Sequence, residues 1–255
     1  MSQVPDRHWI FRGQPNKLEL TSTLERSLEN WRIKLADGPA IESELIREFR
    51  RRVADPIYQR IQNDTLYCMS LMRHYGAPVR LLDCTYSPFV AAKFALENGV
   101  KNGAVVYCFN GDWCKANVPS ELKSVVEERH RDINRTDITF EQMYLSPKSR
   151  RKFIQYENPL HLNERLTIQQ GIFLCPGDVG VSFLENVKAM SGWDDKNNII
   201  EFHLELEGGD LAEFARKLKL MNISSAALFP GLEGFARSLG EHVLHFREIS
   251  SRQRT

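Results

Sequence analysis

The chain has 255 residues, 42% hydrophobic and 26% charged, which places it among ordinary soluble globular proteins with enough length to bury a sizeable core. Its 34 Lys+Arg and 33 Asp+Glu leave a formal net charge of +1, so overall charge gives no argument for nucleic acid or an acidic membrane, and any anion site must be local. The five cysteines, Cys68, Cys84, Cys108, Cys114 and Cys175, are odd in number and lack C-x-x-C spacing, which speaks against a disulfide framework and a structural zinc site and fits a reducing compartment.

The stretch Met1–His8 has no apolar signal core, and no segment approaches membrane-spanning length, so a cytoplasmic protein of bacterial type, without a membrane partner, is expected. His8-Trp9-Ile10-Phe11 predicts a short strand, stopped by Arg12-Gly13-Gln14-Pro15. That puts Arg12 at a strand edge and leaves Gly13 either a close backbone approach or a positive φ. Taken alone, Arg12 reads as a surface charge paired with an acid. Thr21-Ser22-Thr23 offers a helix cap, and apolar residues at three- and four-residue steps predict a helix from Ala40 to about Ile61. Its Arg47, Arg50, Arg51 and Arg52 read as a solvated face partnered by Glu42, Glu44 and Glu48, and Pro56 is expected to break or kink it. A further helix from Leu66 to His74 stops at Tyr75-Gly76-Ala77-Pro78.

The chain is organised around residues 80–95. Arg80-Leu81-Leu82 is an extended lead-in, Asp83 to Pro88 a tight polar corner, and Ser87-Pro88 an N-cap followed by proline at the first helical position. Val90, Ala91, Phe94 and Ala95 then share one helical face. Two readings of Asp83 and Thr85 stand side by side: they tie the turn, or they present polar groups at the mouth of a cleft.

Beyond this corner, Gly103 to Phe109 predicts a buried strand closed by Asn110-Gly111-Asp112. Residues 115–155 are polar and charge-rich and read as an insertion or flexible covering segment with some helix, its basic tract Lys148–Lys152 a solvated charge run. Ile154 to Pro159 is extended. Arg165 to Gly177 reads as a strand with an internal glycine at Gly171, and Asn198 to Leu206 as another strand. A helix follows from Leu211 to Leu220, then short apolar Ser225–Pro230, a last short helix from Leu232 to Leu239, and a tail frayed from Glu248. No repeat or linker divides the chain, so 1–255 is read as one domain. There is no P-loop, G-x-G-x-x-G, H-E-x-x-H or G-x-S-x-G, the seven histidines show no ligand spacing, and no metal is expected.

Four separated stretches carry a resemblance. Phe11-Arg12-Gly13-Gln14, the run from His74 to Thr85 with the following Ala92-x-Phe94-Ala95, Arg165-x-Thr167-x-Gln169-Gln170-Gly171-x-Phe173, and Leu228 to Gly234 together resemble the FRG-domain family, from about Trp9 to Leu239. Two departures are Val79 before Arg80, where the family usually has threonine, and Cys84, where tryptophan is common.

A second resemblance supplies a chemistry. The order of a strand arginine, a polar corner leading into an Ala-x-x-Phe helix, and a Gln strand followed by proline is similar to the ADP-ribosyltransferase superfamily. That resemblance implies an α+β fold with a split, mostly antiparallel sheet and flanking helices, and NAD as substrate. It implies that Arg12 holds an NAD phosphate or ribose edge, that Thr85 with Ser87 buttresses the site, and that Gln169 takes the first place of a Glu-x-Glu pair. The second place is Gly171, which supplies no negative charge for a developing oxocarbenium ion. Asp83 is the nearest local acid. Expected activities are ADP-ribosyl transfer to a protein or nucleic-acid acceptor, or NAD hydrolysis, as in a toxin or anti-phage effector. The alternative is a non-catalytic module that binds a nucleotide or nucleic-acid end through Arg12, His74 and Arg80. A third reading pairs His74 with Asp83 as acid and base. Catalytic expectations thus fall on Gln169, Asp83 and His74, and ligand-binding ones on Arg12, Gly13, Gln14, Arg80, Thr85 and Ser87.

Overall fold

Strand β1 (Trp9–Gln14) runs through Arg12-Gly13-Gln14 instead of stopping at it. The glycine is there for close approach: a Cβ on Gly13 would lie 1.8 Å from the Ala91 carbonyl oxygen and 2.7 Å from the Ala95 nitrogen. The computed structural model describes residues 8–15, 20–53, 60–97, 103–131, 136–146, 150–206 and 208–252.

Ser22 caps helix α1 (Thr23–Asn30), its hydroxyl accepting from the Glu25 N–H at 3.0 Å. Helix α2 (Gly38–Arg52) ends before Pro56, which lies outside the described residues, and α3 (Arg60–Asn63) is a single turn. Helix α4 (Thr65–His74) closes as its sequence predicts. Gly76 sits at φ +83°, Ala77 N–H bonds the Met72 carbonyl at 2.8 Å, and Gly76 N–H bonds that of Arg73 at 3.2 Å. This closure fixes Arg73 and His74 in the last turn. Strand β2 (Leu82–Thr85) follows, then α5 (Pro88–Ala95), with Ser87 accepting from the Val90 N–H at 3.3 Å.

Strand β3 (Ala104–Asn110) is buried on both faces. Asn110 then caps α6 (Gly111–Ala116). Helices α7 (Lys123–Arg131) and α8 (Thr136–Tyr144) occupy the polar stretch. They are packed, not merely laid over the surface: Val126, Phe140, Met143 and Tyr144 belong to the main core. Strand β4 (Ile154–Glu157) is followed by α9 (Glu164–Ile168), β5 (Gly171–Pro176), α10 (Phe183–Lys188), β6 (Ile199–Leu204), α11 (Gly208–Leu220), α12 (Ser225–Leu228) and α13 (Gly231–Arg252).

The strands form one six-stranded sheet of order β4-β5-β2-β1-β3-β6, every neighbouring pair antiparallel. With helices on its faces this is the α+β architecture expected. Alternation divides β3 between two cores. Val105, Tyr107 and Phe109 of β3 join the main core with α4, while Ala104, Val106 and Cys108 pack with Ala91 and Ala95 of α5. Two apolar faces explain the unbroken hydrophobic run of β3. Small residues on α5 let it lie directly on β1, the contact that requires Gly13.

The sheet is not evenly knit. β1 pairs with β3 at six positions but with β2 only at Phe11↔Thr85. Past that one position the two strands diverge, and the sheet opens between them.

Two predicted elements are corrected. The run from Arg165 to Gly177 is not a single strand: Asn163 accepts from the Leu166 N–H at 2.8 Å and starts α9, Gln170 turns at φ +49°, and β5 begins at Gly171. Thr167 and Ile168 are strand-prone, but the Asn163 cap prevails. The last helix does not stop at Leu239. It continues to Arg252, because a glycine such as Gly240 inside a helix costs only about 1 kcal/mol and need not end it. Residues 253–255 lie outside the described residues, as do Lys148 and Ser149 of the basic tract.

Candidate ligand-binding cleft

The divergence of β1 and β2 opens a cleft of about 360 Å³, within the usual range for small-molecule sites. It gathers residues far apart in sequence: Arg12 and Gly13 of β1, Arg73 and His74 at the end of α4, Asp83 and Thr85 of β2, Arg165 of α9, and Gln169. Arg237 of α13 closes one side.

Arg12 spans the gap. Its Nη1 donates to the Asp83 carbonyl oxygen at 2.7 Å, where a strand-to-strand bond would otherwise lie. Its Nε is buried with no hydrogen-bond partner. Arg73 donates through Nη2 to Asp83 Oδ2 at 2.5 Å, and its Nε is likewise buried and unpartnered. A buried N–H without an acceptor costs roughly 1–3 kcal/mol, so these two guanidinium groups are held beside the cleft at some cost in stability. Arg165 makes no hydrogen bond or ion pair to the described residues, and its guanidinium stacks on Phe229 at 4.6 Å. Burial and the nearby Arg237 and Arg73 charges hold its pKa below the usual arginine value, against the pull of Asp83. The guanidinium of Arg237 is neutralised by Glu97 and Glu233, each at 2.7 Å, and stacks on Phe229 at 4.2 Å. Four guanidinium groups thus line the cleft against the carboxylates of Asp83 and Glu97, a local excess of positive charge that net charge does not show.

Thr85 is a brace. Its buried hydroxyl donates to the Gln169 carbonyl at 2.7 Å and accepts from the Ser87 N–H at 3.0 Å. Gln169 is also held, its Nε2 donating to the Leu228 carbonyl at 3.0 Å. The place of the missing second carboxylate lies against α9: a Cβ on Gly171 would lie 2.5 Å from Leu166 Cδ2 and 3.3 Å from Leu166 Cα. His74 is exposed at the rim with Tyr75 edge-on to its ring. The Asp83 carboxylate bonds the neighbouring Arg73, so no His74–Asp83 pair forms among the hydrogen bonds of the described residues. Cys84 also lines the cleft, but burial pushes its thiol up to about 12, against the lowering effect of Arg12, which makes it a poor nucleophile.

Three expected ligand residues stand apart from the cleft lining. Ser87 caps α5. Gln14 sits opposite Val105 in the β1–β3 ladder. Arg80 is fully buried against Glu42. Its Nε bonds both carboxylate oxygens at 2.9 and 3.0 Å, Nη2 bonds Glu42 Oε2 and the Tyr144 carbonyl, and Nη1 reaches the Pro176 carbonyl at 3.1 Å. Burial works against its charge, yet Glu42 prevails and raises its pKa. Every donor nitrogen is engaged inside the protein, which removes Arg80 from any ligand role. Conversely, Arg73 and Arg165 are site residues that sequence reasoning missed. Arg73 lay one position before the histidine singled out, and Arg165 heads a stretch already quoted for its glutamine.

Fold and site define an α+β protein with an arginine-lined cleft at a split in an antiparallel sheet. Residues 7–103 match the family model described as FRG domain. The match takes in Arg12, Arg73 and Asp83, while Arg165, Gln169 and Arg237 reach the same cleft from beyond it. No curated protein and no solved structure matches the chain. Among the described residues no helix is long and apolar enough to cross a membrane, and no cluster of His, Cys, Asp and Glu is arranged to hold a metal ion.

Proposed function

We propose that the cleft binds a phosphorylated nucleotide through its phosphate oxygens, as a recognition module. The observation that carries this reading is the convergence of four guanidinium groups, those of Arg12, Arg73, Arg165 and Arg237, on one cavity. Planar guanidinium donors match phosphate oxygens. Titration calorimetry with AMP, ADP, ATP and NAD tests it: micromolar-range heats that shrink with added salt are expected, and silence across the whole panel defeats the reading.

A specific observation favours a second reading, an ADP-ribosyltransferase-like enzyme. Arg12, Thr85 and Gln169 come from or adjoin three neighbouring strands, β1, β2 and β5, and all line the cleft, the arrangement that the resemblance implies for NAD. In that reading the C–N bond between ribose and nicotinamide breaks, and its electron pair leaves with nicotinamide. Water or an acceptor on protein or nucleic acid then bonds the ribose carbon and gives up a proton. Asp83, which is partly exposed, lines the cleft and pairs with Arg73, is the carboxylate that this reading assigns to the developing positive charge. Such hydrolysis would suit a toxin or anti-phage effector. Release of free nicotinamide from NAD, lost in Asp83→Asn, is the expected result; no release with any acceptor class leaves only the binding reading.

A further inference from the structure

We infer that Arg165 forms a second anion subsite, so that the cleft takes a ligand carrying two linked phosphoryl groups in preference to one. The inference rests on the nucleotide reading above and deepens it. An arginine has five N–H donors in a planar fork. Among the described residues, Arg12 commits one nitrogen to the Asp83 carbonyl, Arg73 one to the Asp83 carboxylate, and Arg165 none. A single phosphoryl group bound between Arg12 and Arg73 leaves the Arg165 fork without an acceptor.

The stack on Phe229 fixes Arg165 in place. Its guanidinium carbon lies 4.6 Å from the ring centroid on a helix capped by Asn163, so little ordering is needed when an anion arrives. Arg237, the other cation on that ring, cannot substitute, since Glu97 and Glu233 already hold it. The acids facing Arg165 are few. Asp83 is bonded to Arg73, and Glu97 and Glu233 to Arg237, so the surplus of charge at this end falls to Arg165 itself. Three arginines, from β1, α4 and α9, line the one cavity and together offer more donors than a single phosphoryl group takes up.

The test is calorimetric titration of the full chain with AMP, ADP and inorganic pyrophosphate, repeated with Arg165→Gln and Arg165→Lys, each variant checked for a native melting transition. The native chain is expected to bind ADP at least about tenfold tighter than AMP. Arg165→Gln is expected to lower ADP affinity about tenfold and AMP affinity by less, so that the preference for ADP is lost. Arg165→Lys, which keeps the charge but loses the fork, should lower the ADP preference several-fold, and it decides the matter if the glutamine variant does not fold. Equal binding of AMP and ADP by the native chain overturns the second subsite and leaves the nucleotide reading intact. A full ADP preference surviving in a folded Arg165 variant also overturns it. Absence of binding by every nucleotide removes the reading and the inference together.

Discussion

The Arg12 guanidinium donates to the main-chain carbonyl of Asp83 at 2.7 Å, across the place where β1 and β2 part. A side chain thus takes over a bond that the backbone gives up, and the same side chain lines the cleft. Structure and the proposed ligand binding therefore share one residue.

Replacing Arg12 with lysine keeps a positive charge and removes the fork. Charge-assisted hydrogen bonds contribute about 1.5–3 kcal/mol each, so nucleotide affinity is expected to fall about 10–100-fold. The strand-bridging bond is lost as well, so calorimetry should be accompanied by urea denaturation, which is expected to show a loss on the order of 1 kcal/mol.

Asp83→Asn separates the two functional readings. In a binding module the substitution frees Arg73 from a competing carboxylate, and phosphate affinity is expected to rise several-fold. In a transferase it abolishes nicotinamide release while NAD still binds. Measuring NAD affinity and nicotinamide release on the same preparation distinguishes these outcomes.

Gly13→Ala is expected to cost at least about 2 kcal/mol, at the upper range for overpacking, because the added methyl meets main-chain atoms of α5 that cannot rotate away. The check is the urea midpoint. A variant as stable as the parent would mean that α5 does not press on β1.

Arg80→Met should be among the most damaging single changes, since it leaves Glu42 buried and unpaired, typically about 3–5 kcal/mol. Adding Glu42→Leu to that variant is expected to recover most of the loss. Recovery with unchanged nucleotide affinity would confirm that this ion pair holds α2 to the body and takes no part in binding.

Burial raises the Cys84 thiol to about 12 from an ordinary value of 9.0. Between those values the unfolded chain has lost this proton and the folded chain keeps it, so this group's contribution to stability is present below about pH 9 and declines as pH rises toward 12. Iodoacetamide at pH 8 is expected to leave Cys84 unmodified in the native protein and to label it once urea unfolds the chain, which peptide mass spectrometry reads directly.

Local chemistry made much of the fold legible. Ser22 and Ser87 cap the helices their positions announce, Gly76 closes α4, and the apolar run of β3 marks a strand covered on both sides. The antiparallel α+β plan came from the superfamily resemblance, since the order of strands and helices alone also suits an alternating α/β sheet. What could not be read locally depended on tertiary partners. Arg80 looked like a ligand residue beside Asp83, but its partner Glu42 is 38 positions away on α2. Arg165 looked like a strand residue because Thr167 and Ile168 follow it, while the Asn163 cap two positions earlier set a helix. Arg73 drew no notice because a helix-terminal arginine ordinarily faces water, and only the turn at Gly76 brings it over Asp83. The reach of α13 past Gly240 also had no local signal, since its buried ridge is narrow: Gly234, Ser238 and the half-buried Glu241.

The single rung at Phe11↔Thr85 has a mechanical meaning. Beyond it, among the described residues, no backbone ladder joins the two banks, and the Arg12 guanidinium is the strut that spans them. The width of the opening therefore hangs on a side chain, which a single substitution can shorten or remove while every backbone rung stays as it is.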